Sequence, residues 1–215
     1  MTPTARRGVA TVAERTEIEC VVWRSVNPAS HLNRIGKLAI ERAPELQGDE
    51  LQLDVMTAML MCALTLEALL NYLGHHLYVD RFAEPALYDT YQRLDPKNKV
   101  RAIESIAGVR LLGRTPFQSM DSIFAFRDDL VHGRPGHGRS ASPDATWFDS
   151  DGYLRETPKE LLTSWEQQLS LDTAIDWRAA VEAMAGELAA AVDCFAPLRV
   201  RETTDCSRTY ALGQS

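Results

Sequence analysis

The chain reads as an all-α protein, a bundle of helices with a small β-hairpin inserted before the last of them. Three observations predict this. Apolar residues recur at three- and four-residue spacings, most extensively through Leu53, Met56, Leu60, Leu64, Leu70 and Leu77. Helix-start signals stand just ahead of such stretches, at Asn27-Pro28, Pro85, Asp95-Pro96, Thr115-Pro116 and Pro158. One segment, 133–157, breaks the pattern with glycine, proline and serine, and carries an Asp-Gly turn signal at 151–152.

Taken in order, residues 1–16 form a polar tail with no apolar stretch of the secretory type behind Arg6 and Arg7. Residues 17–23 (EIECVVW) are short, apolar and β-branched, a strand or the lead-in to a helix. A first helix runs from Pro28 through 31–42 and stops at Pro44. The longest extends from Asp49 to about Phe82 and is apolar on most sides, which marks a central helix surrounded by others. Shorter helices follow over 85–94 and 97–107. The helix begun at Thr115-Pro116 ends at Gly133, a residue suited to a helix C-terminus. Trp147 to Leu154 forms the hairpin, Pro158 begins a helix through Leu169, and the last long helix covers Leu171 to about Phe195. The predicted organisation is a tail (1–16), a helical domain (17–197) with its insertion at 133–157, and a C-terminal tail (198–215).

With 215 residues, 45% of them hydrophobic, the chain can bury a full core. Its net charge of −7 and pI of about 5.3 argue against a protein that coats nucleic acid with its whole surface. The charge is uneven. Between Lys97 and Arg139 eight Lys/Arg face four acids, a local +4 against −11 elsewhere, which suits one phosphate-bearing partner at one place. Cys20, Cys62, Cys194 and Cys206 lack metal-ligand or Cys-x-x-Cys spacing and read as free thiols of a reducing cytoplasm. Residues 55–79 are apolar enough to suggest a membrane span. Glu67, Asn71, His75 and His76 interrupt them at positions expensive in hydrocarbon, so a core helix is expected and no membrane partner.

The stretch with chemical capability is Phe126-Arg127-Asp128-Asp129-Leu130-Val131-His132-Gly133. A guanidinium can hold a phosphate, and an imidazole moves protons near neutral pH. Asp128 and His132 stack one turn apart, so the carboxylate can fix the imidazole tautomer. Arg127 and His132 stand roughly 140° apart on a single helix, which long reach, distortion at the helix end or a second copy must overcome. The same residues would equally serve as surface ion pairs with His132 as a cap. Glu67 and Asn71 share one face and can brace Arg127, with His75 continuing the line. Arg134 and Arg139 lie in a supple basic loop able to follow an RNA backbone, or simply to be solvated. Asp149-Ser150-Asp151-Gly152 lacks the remaining ligands of a calcium loop, and no P-loop, His-Glu-x-x-His or Gly-x-Ser-x-Gly motif is present. No metal or cofactor is expected.

Arg127-x4-His132, with a polar residue after the arginine and a glycine after the histidine, resembles the Arg-x(4–6)-His motif of HEPN domains. The upstream Glu67-x-x-x-Asn71 helix is similar to that of bacterial HEPN-like proteins, and the resemblance spans about residues 30–195. It implies an up-and-down helical bundle forming a homodimer, the motifs of two protomers facing one cleft. Many such proteins are metal-independent endoribonucleases, often toxins held by an antitoxin, or defence effectors. Others bind RNA, a nucleotide or a protein without cutting. By this resemblance Arg127 would hold the scissile phosphate, His132 would handle the proton of the ribose 2′-hydroxyl or the leaving group, and Asp128 replaces a frequent Asn. The Arg-x4-His-x-Tyr pattern of toxins silenced by nucleotide transfer is absent, since Arg134 stands at the Tyr position.

Overall fold

A helix as apolar as the one predicted over 49–82 must be covered by its neighbours, and that requirement organises the structure. The computed structural model describes residues 20–132, 162–163, 165–194, 198 and 202–208. Six α-helices pack together in one unit. α1 (Pro28–Arg42) is capped by Asn27, whose Oδ1 accepts from the Ala29 N–H at 3.0 Å. It ends where Pro44 forces a tight 3-10 turn over Ala43–Glu45. α2 (Gly48–His75) continues into a π-helical stretch, His76–Arg81. α3 (Pro85–Tyr91) follows, then α4 (Pro96–Ala107), capped by Asp95 through the Asn98 N–H and ended by Gly108 at φ 67°. A 3-10 turn at Phe117–Ser119 leads into α5 (Met120–Val131), and α6 (Leu171–Ala191) starts on the Ser170 cap.

α2 runs through the middle, with α1, α4, α5 and α6 against it. Leu66, Leu69, Leu70 and Leu73 are fully buried and meet Ile103 of α4, Ile123 and Phe126 of α5, and Val181, Met184 and Leu188 of α6 in one cluster. Phe126 and Trp177 meet edge to face at 5.6 Å between centroids, a favoured aromatic arrangement. Residues 48–81 form, among the described residues, the one helix long and apolar enough to cross a membrane. Of its most apolar window 56% is buried inside the fold, as a core helix requires. Arg42 of α1 grips Asp54 of α2 with two hydrogen bonds, one of them 2.6 Å from Nε to Oδ2.

The switch from α to π geometry has a visible neighbour. The Tyr91 ring lies where a side chain on Gly74 would stand, 2.0 to 2.8 Å from an ideal Cβ, and its hydroxyl donates to the Leu70 carbonyl at 2.9 Å. Only glycine admits the ring at that point, one residue before the end of α2.

Several elements differ from the sequence reading. Residues 20–26 are a strand, β1 (Cys20–Val26), paired antiparallel with β2 (Glu202–Arg208) so that Cys20 faces Arg208 and Val26 faces Glu202. This pair belongs to a second unit, so the stretch read as a C-terminal tail carries a strand, and the first strand stands outside the helical unit. The helix expected over 158–169 is, among its described residues, a single 3-10 turn at Glu166–Gln168. The Glu166 carboxylate bonds back to the Thr163 N–H (2.7 Å) and hydroxyl (2.6 Å), and Ser170 caps the next helix. The hairpin expected at 147–154 lies outside the described residues.

Gly74→Ala should destabilise the helical unit by about 1–3 kcal/mol or more, because the added methyl overlaps the Tyr91 ring. Tyr91→Phe, which removes only the bond to the Leu70 carbonyl, should lose about 1 kcal/mol. Urea unfolding of the two variants reads both values, and the glycine variant should be the weaker protein.

Candidate functional site

Three helices bring charged groups to one flank of α2. On α5, Ile123 and Phe126 point into the core, so Arg127, the next residue, emerges at the edge of the buried face and is 21% exposed. Its Nη1 donates to Glu67 Oε2 of α2 at 2.5 Å. Its Nε donates to Asp128 Oδ1 at 2.8 Å, and its Nη2 forms an ion pair with the same oxygen at 2.7 Å. The guanidinium also lies 5.2 Å from the Phe124 ring centroid, within cation–π range. Among the described residues, Arg127 thus keeps at least one N–H on each terminal nitrogen for a further acceptor.

Asn71, one turn beyond Glu67, does not reach for Arg127. Its Oδ1 accepts from Lys99 Nζ of α4 at 2.8 Å. Lys99 is 3% exposed and lies beside Val100 and Ile103 on the inward face of its helix. Burial pushes its pKa below the usual lysine range. Glu67 and Asp95 act against that shift, and Arg127 adds to it. The sequence reading passed over Lys99, although a lysine in phase with Val100 and Ile103 on an otherwise amphipathic helix is the signal that marks it.

The placement of His132 departs from expectation. The imidazole is exposed at the end of α5, and among the described residues no group hydrogen-bonds to it. Asp128, expected to orient it, turns its carboxylate to Arg127 instead. The physical reason is charge: a full cation with a planar fork of donors one residue away outcompetes an imidazole on an exposed helix end. What joins the two residues is backbone, the His132 N–H donating to the Asp128 carbonyl at 3.0 Å. His75 leaves the Glu67–Asn71 line for Asp80, 3.5 Å away, and meets Tyr88 edge-on at 5.3 Å between ring centroids. Arg134 and Arg139 lie outside the described residues.

The arrangement can bind an anion: a held guanidinium with free donors, an amide and a second cation beneath it. Neither free thiol among the described residues is a ready nucleophile. Burial raises the Cys62 thiol to about 12 and that of Cys194 in the same direction.

Lys99 gives this cluster a pH signature. Its folded pKa lies below the ordinary 10.5, so between the two values the unfolded chain binds more protons and stability rises as pH climbs. Lys99→Met should lack that rise, so subtracting its stability curve from that of the parent should isolate it, measured by denaturant unfolding across the alkaline range.

Comparison of the chain with protein-family models, with curated proteins and with solved structures finds no match.

Proposed function

We propose that this chain is a HEPN-like, metal-independent endoribonuclease, a homodimer of up-and-down helical bundles that serves as a toxin or defence effector. The observation that carries the reading is the Glu67–Arg127 contact. A carboxylate from a neighbouring helix fixes the guanidinium while two of its N–H groups stay available for a phosphate, on the same helix that ends in an exposed imidazole. Arg127 holds the scissile phosphate. The ribose 2′-oxygen attacks the adjacent phosphorus and gives its proton to a base, the bond to the 5′-oxygen breaks, and that oxygen receives a proton. His132 performs one of the two proton transfers. The products are a 2′,3′-cyclic phosphate and a 5′-hydroxyl, with no cofactor consumed. The roughly 140° between Arg127 and His132 on one helix is met by a second copy, whose imidazole approaches the phosphate held by the first.

A second reading, a non-catalytic dimer that binds RNA, a nucleotide or a protein, is favoured by the Asp128 contact. That carboxylate serves Arg127, so the imidazole lacks the partner that would set its tautomer.

Purified protein incubated with single-stranded RNA and EDTA separates the two. The expected outcome is cleavage that survives chelation, falls about 10²–10⁴-fold in His132→Ala, and leaves cyclic phosphate ends. Binding without cleavage by the parent supports the second reading. Undiminished cleavage by His132→Ala rules out the assigned site.

A further inference from the structure

Lys99 is a nearly buried ammonium with, among the described residues, a single hydrogen bond. Such a group carries three donors, and the cost of desolvating its charge exceeds what one bond to a neutral amide contributes. A structural role alone is therefore a weak account of it.

Its chemistry has a directional consequence. An ammonium only donates, so the Asn71 amide must turn its oxygen to Lys99 and its NH₂ the other way. Among the described residues nothing accepts from that Nδ2. Nor is it one of the buried unpaired polar atoms, which are Thr65 Oγ1 and Arg178 Nε, so it reaches solvent. Asn71 lies one turn from Glu67, which holds Arg127. The amide donor and the free guanidinium donors thus share one flank of α2.

We propose that Asn71 is a second phosphate-contacting donor of the site, with Lys99 the positioning residue that keeps its amide the right way round. This rests on the RNA-binding reading above. It assigns the site two independent contacts to the RNA backbone, one cationic and one neutral.

The test is binding of a labelled single-stranded oligoribonucleotide of mixed sequence to the full chain, in a His132→Ala background that leaves the RNA uncut. Asn71→Asp keeps the acceptor for Lys99 and loses the NH₂; Lys99→Met frees the amide. Each should weaken binding about tenfold, the worth of a hydrogen bond to a charged group, without lowering the unfolding midpoint. Lys97→Met removes an exposed charge from the same helix and should leave affinity near that of the background. The background should also lose affinity on the alkaline side, ahead of ordinary lysines, and Lys99→Met should lack that limb. The charged groups facing Lys99 are Glu67 of α2, Asp95 before α4 and Arg127 of α5. Unchanged affinity in both cluster variants, equal loss in Lys97→Met, or reduced stability in both overturns the inference while the RNA reading stands. A His132→Ala background and a parent that both fail to bind RNA overturn the two together.

Discussion

α2 is a largely apolar helix, and Glu67 and Asn71 stand half-buried on it close to its fully buried leucines. Each takes a partner from another helix, which offsets the cost of withdrawing a polar group from water. Arg127 answers Glu67 from α5 and Lys99 answers Asn71 from α4. These two contacts tie α4 and α5 to α2, and the exposed Lys97–Asp121 pair joins α4 to α5; the apolar packing beneath them is tolerant of sliding and rotation. Directional hydrogen bonds are not, so the cluster sets the rotational phase of α4 and α5 on α2.

The same contacts give the flank its electrochemical character. Two cations and two carboxylates balance in formal charge, yet they are not equally placed: Arg127 shares both carboxylates, while Lys99 is left with an amide oxygen. An anion approaching from solvent therefore meets a guanidinium already oriented by two carboxylates. Preorganised donors of this kind favour an incoming phosphate because no rearrangement is needed when it arrives. At the opposite ends of α2 the devices are steric and electrostatic: the Tyr91 ring in the notch at Gly74, and the Arg42–Asp54 pair to α1. The latter holds the Asp54 carboxyl below the usual carboxylate range, mainly through its hydrogen bonds with Arg42.

The six helices were legible because their signals are local. Asn27-Pro28 and Asp95-Pro96 mark starts by supplying an acceptor to nearby backbone N–H groups, a bond made within a few residues. β1 and β2 were not legible in the same way. ETTDCSR has no apolar face, and its pairing partner lies about 180 residues away, so no local pattern announces it. Of the helix expected over 158–169, whose start at Pro158 lies outside the described residues, the described part is a tight turn closed by the Thr163–Glu166 hydrogen bonds.

Within the candidate site the division is similar. Residue types and spacing by themselves determined that Arg127, Asp128 and His132 share one helix end and that Glu67 and Asn71 share one face, since helical geometry follows from sequence position alone. Which partner each group takes was decided only by the tertiary fold. Asp128 could satisfy Arg127 or His132, and Asn71 could face Arg127 or Lys99; both choices depend on how deeply α4 and α5 set their side chains against α2. A hydrogen bond forms over about 3 Å, and the chain order of two residues says nothing about that distance once they stand on different helices.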